Sequence, residues 1–151
     1  MDHFVNRDDE LSRLRGCYES DEAEMVVIFG RQRLGKTQLV QHSLSDRDDV
    51  VVYQATETTS QIQLDEFVDV ASENFPGITQ IKQNWEALLG YLGEQDGIVV
   101  LEEFPYLIDA DESLSSVIQR LWDQRLQNTS GTLVLVIPEH LAHEGRDVFS
   151  Y

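Results

Sequence analysis

Positive charge is scarce in this chain: 11 Lys plus Arg stand against 28 Asp plus Glu in 151 residues, a formal net charge of −17. Lys36 and Lys82 are its lysines. So few cations cannot form the basic stripe that phosphate backbones require, which argues against nonspecific duplex binding. An acidic surface this dense repels itself unless salt screens it. Near 1 M the Debye length falls to about 3 Å, so a halophilic source is the expectation. Cysteine is nearly absent too. Cys17 stands alone, which excludes an intrachain disulfide and suits a reducing compartment. No apolar run approaches the length of a membrane span. The opening Met1-Asp2-His3-Phe4 lacks the basic-then-apolar order of a signal peptide, and a cytoplasmic protein is expected.

What is present reads as one globular domain, 41% hydrophobic, with no repeat, linker or low-complexity tract. Asn6 can cap a helix carrying Leu11 and Leu14, with Asp8, Asp9 and Glu10 in the first turn where the helix dipole favours anions. Continuous apolar runs predict strands at 25–29, 50–53, 98–101 and 133–137. Between them, helical periodicity is carried by Leu39 and Val40. It returns in Leu64, Phe67, Val68, Ala71 and Phe75 up to Pro76-Gly77, then from Ile81 through Trp85 to Leu92, and again from Leu114 to Trp122. Strands apolar throughout that alternate with helices predict an α/β fold, a parallel sheet covered on both faces. The Leu and aromatic stripes are expected to form its core.

One loop stands out. Gly30-Arg31-Gln32-Arg33-Leu34-Gly35-Lys36-Thr37 fits G-x-x-x-x-G-K-[ST] at every fixed position, between a predicted strand and a predicted helix, and these residues with Gln38 are the expected nucleotide-binding set. The glycines let successive backbone N–H groups approach phosphate oxygens, and the helix behind offers its positive end. Lys36 can reach the β- and γ-phosphates, and the Thr37 hydroxyl can ligate Mg²⁺. Arg31 and Arg33 add local positive charge that suits a polyphosphate.

A second element belongs to the same chemistry. Ile98-Val-Val-Leu101 is followed at once by Glu102-Glu103. The first carboxylate would hold Mg²⁺, usually through water, and the second would orient or deprotonate an attacking water. Adjacent acids of this kind fit water activation better than a small kinase of similar length, and no Arg-rich lid segment follows the third strand. His140 and His143 beside Glu139 and Glu144 read as a solvated polar stretch rather than a metal site.

Together these residues resemble the archaeal P-loop ATPases of the AAA+/STAND class, in particular their haloarchaeal members, from about Phe4 to Val136. Phe4-Val-Asn-Arg7 with Glu10 and Leu11 resembles the family's N-terminal box. Gly30 to Thr37 resembles its Walker A loop, and Glu103-Phe-Pro-Tyr-Leu107 the segment completing Walker B. The resemblance implies a P-loop NTPase three-layer sandwich, with Asn6 and Arg7 near the adenine of ATP or ADP. Lys36 and Thr37 would serve phosphate and Mg²⁺, Glu102 the metal, and Glu103, with Lys36, catalysis. It implies an ATP-binding domain that hydrolyses Mg-ATP slowly or not at all, because two departures stand out. Glu102 replaces the family's Asp, moving the charge outward by about 1.5 Å, and displacements of about 1 Å at a catalytic site can cost about a hundredfold in rate. After Ile137 the family's small polar residue is missing, and 138–151 resembles nothing in the family, as after a lost reading frame. Residues 1–137 are thus expected to form an incomplete core and 138–151 a divergent tail, without the fifth strand, the helical lid and the arginine-finger region. That leaves Met25–Phe29 as an apolar sheet edge through which the chain could self-associate or dock on a full-length relative as a noncatalytic module.

Overall fold

The computed structural model describes residues 23–30, 47–124 and 131–138, together with Arg15, Gly16, Tyr18, Glu19 and Leu44. The predicted apolar runs all form strands. They are β1 (Glu24–Gly30), β2 (Val50–Gln54), β3 (Ile98–Glu102) and β4 (Thr132–Pro138), one sheet in the order β1-β4-β3-β2 with every neighbouring pair parallel. Each is longer than predicted by one or two residues, and β4 continues into Pro138.

Strand order explains how both faces come to be covered. Among the described residues, the chain leaves β1 at one edge, crosses to β2 at the other, and returns through β3 to β4. Right-handed crossovers in opposite directions lie on opposite faces of the sheet. The return path supplies α1 (Ser60–Ala71), a 3₁₀ turn (Pro76–Gln80), α2 (Trp85–Glu94), α3 (Pro105–Ala110) and α4 (Leu114–Gln124). Their apolar stripes (Phe67 and Ala71; Leu88 and Leu92; Leu114, Ile118 and Leu121) pack on Val51, Tyr53, Val99, Leu101, Leu133 and Leu135. The alternate strand positions Ile98, Val100, Val134 and Val136 face the other way, into a smaller cluster closed by Tyr18 and by Leu44 from the outward crossing. Two-residue alternation thus buries both faces, as a continuously apolar strand requires.

Two helical boundaries differ from expectation. The 64–75 stripe predicts a helix up to Phe75, yet α1 ends at Ala71, with Ser72 as its C-cap. Phe75 precedes proline, which disfavours helical backbone, and it adopts φ −132°, ψ 72°. The Asn74 side chain donates to Val50 O at 2.9 Å and pins this bend to β2. The next helix begins at Trp85 rather than near Ile81, because Asn84 Oδ1 accepts from Ala87 N at 2.8 Å and caps it. The short α3 follows the acidic pair and has no counterpart among the predicted elements; Pro105 occupies its first turn, where a missing N–H costs nothing.

Candidate functional site

In open parallel sheets, ligands bind beyond the carboxyl ends of the strands, where the strand order reverses. Here that rim is formed by Gly30 on β1, Pro138 on β4, Glu102 on β3 and Gln54 on β2. Gly30 lies opposite Pro138, and Gln54 opposite Glu102. β4 separates β1 from β3, so the strand that opens into the glycine loop runs about 10 Å from the strand that ends in the acids. Gly30 is the one residue of the predicted phosphate loop inside the described chain. Arg31, Gln32, Arg33, Leu34, Gly35, Lys36, Thr37 and Gln38 lie outside the described residues, as do Asn6, Arg7 and the helix expected at Leu11 and Leu14.

The acidic pair is buried, Glu102 6% and Glu103 3% exposed. Glu102 is the last residue of β3, and its carbonyl accepts from Ala55 N at 2.9 Å, extending the β2–β3 ladder one bond beyond the strand. Glu103 leaves the sheet at φ 55°, a left-handed conformation that crowds the Cβ of any residue but glycine. Such conformations persist where the surroundings over-determine them, commonly at functional sites. Three backbone bonds hold the turn: Phe104 N to Val136 O at 3.2 Å, Tyr106 N to Glu103 O at 3.1 Å and Leu107 N to Phe104 O at 2.9 Å. Two neighbouring carboxylates taken out of water favour cations or donors facing them. Their hard oxygen ligands suit Mg²⁺, which typically takes one or two carboxylates plus phosphates and water. Among the described residues no group of three or more His, Cys, Asp or Glu could hold a metal ion, so a site built from protein ligands alone is not found there.

Beside the acids, the turn after β2 is tied to α1. Tyr53 Oη donates to Glu66 Oε1 at 2.7 Å, and Thr56 Oγ1 donates to the same oxygen at 3.0 Å. Burial, reinforced by the hydrogen bond to Glu66, pushes the Tyr53 hydroxyl well above its ordinary pKa. Gln63 of α1 is fully buried and gives one N–H to Thr56 O at 2.8 Å and one to Tyr106 O at 3.1 Å. The sequence contains a signal for it: Gln63 lies four and eight residues before Phe67 and Ala71, a polar residue on an apolar stripe. Across the rim from the acids, β4 offers buried Ile137, whose side chain cannot hydrogen-bond, before the strand ends at residue 138.

The chain is similar to several known proteins. Over 148 residues it is 35% identical to an uncharacterised protein of Methanocaldococcus jannaschii, covering 98% of this chain and 32% of that protein. A stretch of 44 residues is 36% identical to an uncharacterised ATP-binding protein of the same organism, covering 29% of this chain and 75% of that one. Among solved structures, a Walker-type ATPase of Pyrococcus abyssi superposes with a TM-score of 0.67 at 17% identity, over 95% of this chain and 47% of that one. The Aeropyrum pernix ORC2 protein in its ADP form gives 0.55 at 14% identity, over 97% and 43%. The chain therefore spans about a third of its longer M. jannaschii relative and less than half of either solved structure. These likenesses establish the P-loop ATPase fold. Residues 4–140 match the model of an ATPase domain found predominantly in Archaea, and the chain belongs to that family.

Proposed function

We propose that this domain binds Mg-ATP or Mg-ADP at the carboxyl rim of the sheet and hydrolyses it slowly or not at all. The observation that carries the reading is the shared sheet: β1 ends at the first glycine of the phosphate-loop motif, and β3, one strand beyond its neighbour, ends at buried Glu102 with buried Glu103 next in the chain. The backbone of 30–37 and Lys36 grip the phosphates, Thr37 and Glu102 hold the metal, and Glu103 orients or deprotonates the attacking water. Asn6 and Arg7 lie at the base. Magnesium, when bound, neutralises charge on the phosphate oxygens. Adenine is favoured by the ATP-binding M. jannaschii relative and the ADP form of the A. pernix protein. Two features argue for slow turnover: Glu102 carries its charge one methylene farther than aspartate would, and Ile137-Pro138 offers nothing to hold the γ-phosphate or the water.

Titration with a fluorescent ATP analogue in high-salt buffer tests binding, since the acidic surface suits a halophilic setting. Saturable binding by the wild type that Lys36→Ala abolishes is the expected result; an unsaturable wild type, or an equally good variant, removes the reading. Glu102→Asp is expected to raise turnover. A second reading, a noncatalytic module that docks on a longer relative, draws on β1 lying at the sheet edge among the described residues. It predicts a stable complex with such a relative even for Lys36→Ala.

A further inference from the structure

Gln63 is an expensive residue where it stands. Its helix buries Gln63, Phe67 and Ala71 on one face, and a leucine there would complete an apolar stripe. A buried amide is tolerated when its donors are matched, and both N–H groups of Gln63 are: one to Thr56 O, one to Tyr106 O. The two carbonyls belong to the two segments flanking the acids. Ala55, next to Thr56, donates its N–H to Glu102 O, and Tyr106 donates its N–H to Glu103 O. The bonds therefore close a ring that runs from Glu102 through Ala55, Thr56, Gln63 and Tyr106 to Glu103 and back along the chain. Gln63 is the one member of that ring that contributes a side chain, and the one drawn from another helix. The left-handed turn at Glu103 lies inside the ring.

We propose that Gln63 is a positioning residue for the acidic pair: by bridging Thr56 and Tyr106 it holds the Glu103 turn in its strained conformation and aims both carboxylates at the metal–phosphate site. The proposal rests on the Mg-nucleotide reading for what the carboxylates do, but the ring itself can be tested apart from it. Apolar replacement of similar length keeps the volume and removes both donors, so Gln63→Met is the informative variant. Gln63→Asn, which retains the amide on a shorter arm, is a second.

Amide hydrogen exchange on the nucleotide-free protein reads the ring directly. Exchange at Ala55, Tyr106 and Leu107 is expected to rise at least tenfold in Gln63→Met, while Val99 and Val100 in the middle of β3 change less than twofold. Uniform loosening of all five, or no change at the first three, overturns the proposal. The functional arm is a Mg²⁺ titration of analogue binding. Gln63→Met should keep wild-type affinity without metal and lose about tenfold in the Mg²⁺-dependent gain; an unchanged Mg²⁺ midpoint overturns the aiming role. Should the wild type bind no nucleotide, the function reading falls while the exchange experiment still decides whether Gln63 fixes the turn. If Gln63→Met does not fold, the same measurements on Gln63→Asn decide, with the same thresholds.

Discussion

The two ends of the sheet are built on opposite principles. At the amino end, three chain segments close on one another with almost no side chain between them. A Cβ at Gly131 would lie 3.2 Å from Gly97 O and 3.3 Å from the Gly93 Cα, and one at Gly97 would meet Phe75 at 3.0 Å. Thr132 N bonds to Gly97 O at 3.1 Å and Glu24 N to Gly131 O at 3.0 Å, so backbone groups satisfy one another there. Each end holds one left-handed residue, Asp96 at φ 57° and Glu103 at φ 55°, but the carboxyl end also buries two carboxylates and an amide. The first end is a close backbone contact; the second gathers buried polar side chains. Substitutions at the former should cost stability and spare ligand binding, and substitutions at the latter should do the reverse.

The largest effect on stability is expected from Gly131→Ala. Backbone atoms on two sides cannot yield as a flexible side chain would, and overpacking of this kind costs about 1–3 kcal/mol. Denaturant unfolding should show that loss, with nucleotide affinity within twofold of wild type under folded conditions. Glu103→Gly breaks the pattern from the other end. Relief of left-handed strain, about 1–2 kcal/mol, offsets the extra unfolded-state freedom of glycine, about 0.5–1 kcal/mol. The variant should thus be as stable as wild type, or up to about 1.5 kcal/mol more so, while the slow hydrolysis proposed above, where it is detected, is lost. A clear loss of stability would mean that the Glu103 side chain is structural. Smallest is Tyr53→Phe, which removes one hydrogen bond and should cost about 0.5–1 kcal/mol at neutral pH. Its sign with pH is fixed by the raised pKa of Tyr53. The neutral hydroxyl is favoured in the folded state, so its stabilisation is complete below the ordinary tyrosine value near 10 and is lost as pH rises toward the higher folded value. Melting curves from pH 8 upward should converge for wild type and variant.

Much of this architecture was legible in the residues. Val50-Val-Val-Tyr53 and Ile98-Val-Val-Leu101 are apolar at every position, which fits only a strand covered on two sides, and both are. The acids appear at a strand end because the run of apolar letters stops at Glu102. Periodicity failed where local chemistry overrode it. Phe75 keeps the helical spacing, but Pro76 disfavours helical backbone before it, so the side chain reaches the core from a bend instead. Neither the left-handed turn at Glu103 nor the double donation by Gln63 could be read from spacing, because both are fixed by groups distant in sequence. The phosphate loop at 31–37, with Asn6 and Arg7, lies outside the described residues, so its assignment rests on the motif and on family membership.

The pairing of β1 has a consequence for how the molecule is assembled. Glu24 to Gly30 finds its described partner in Thr132 to Pro138, near the opposite end of the chain. A ribosome delivers the first strand long before the strand it must lie against, and contacts this distant in sequence form late and slowly. Until then the segment leading into the glycine motif lacks its described neighbour, so any pocket depending on that pairing matures only after β4 has been made.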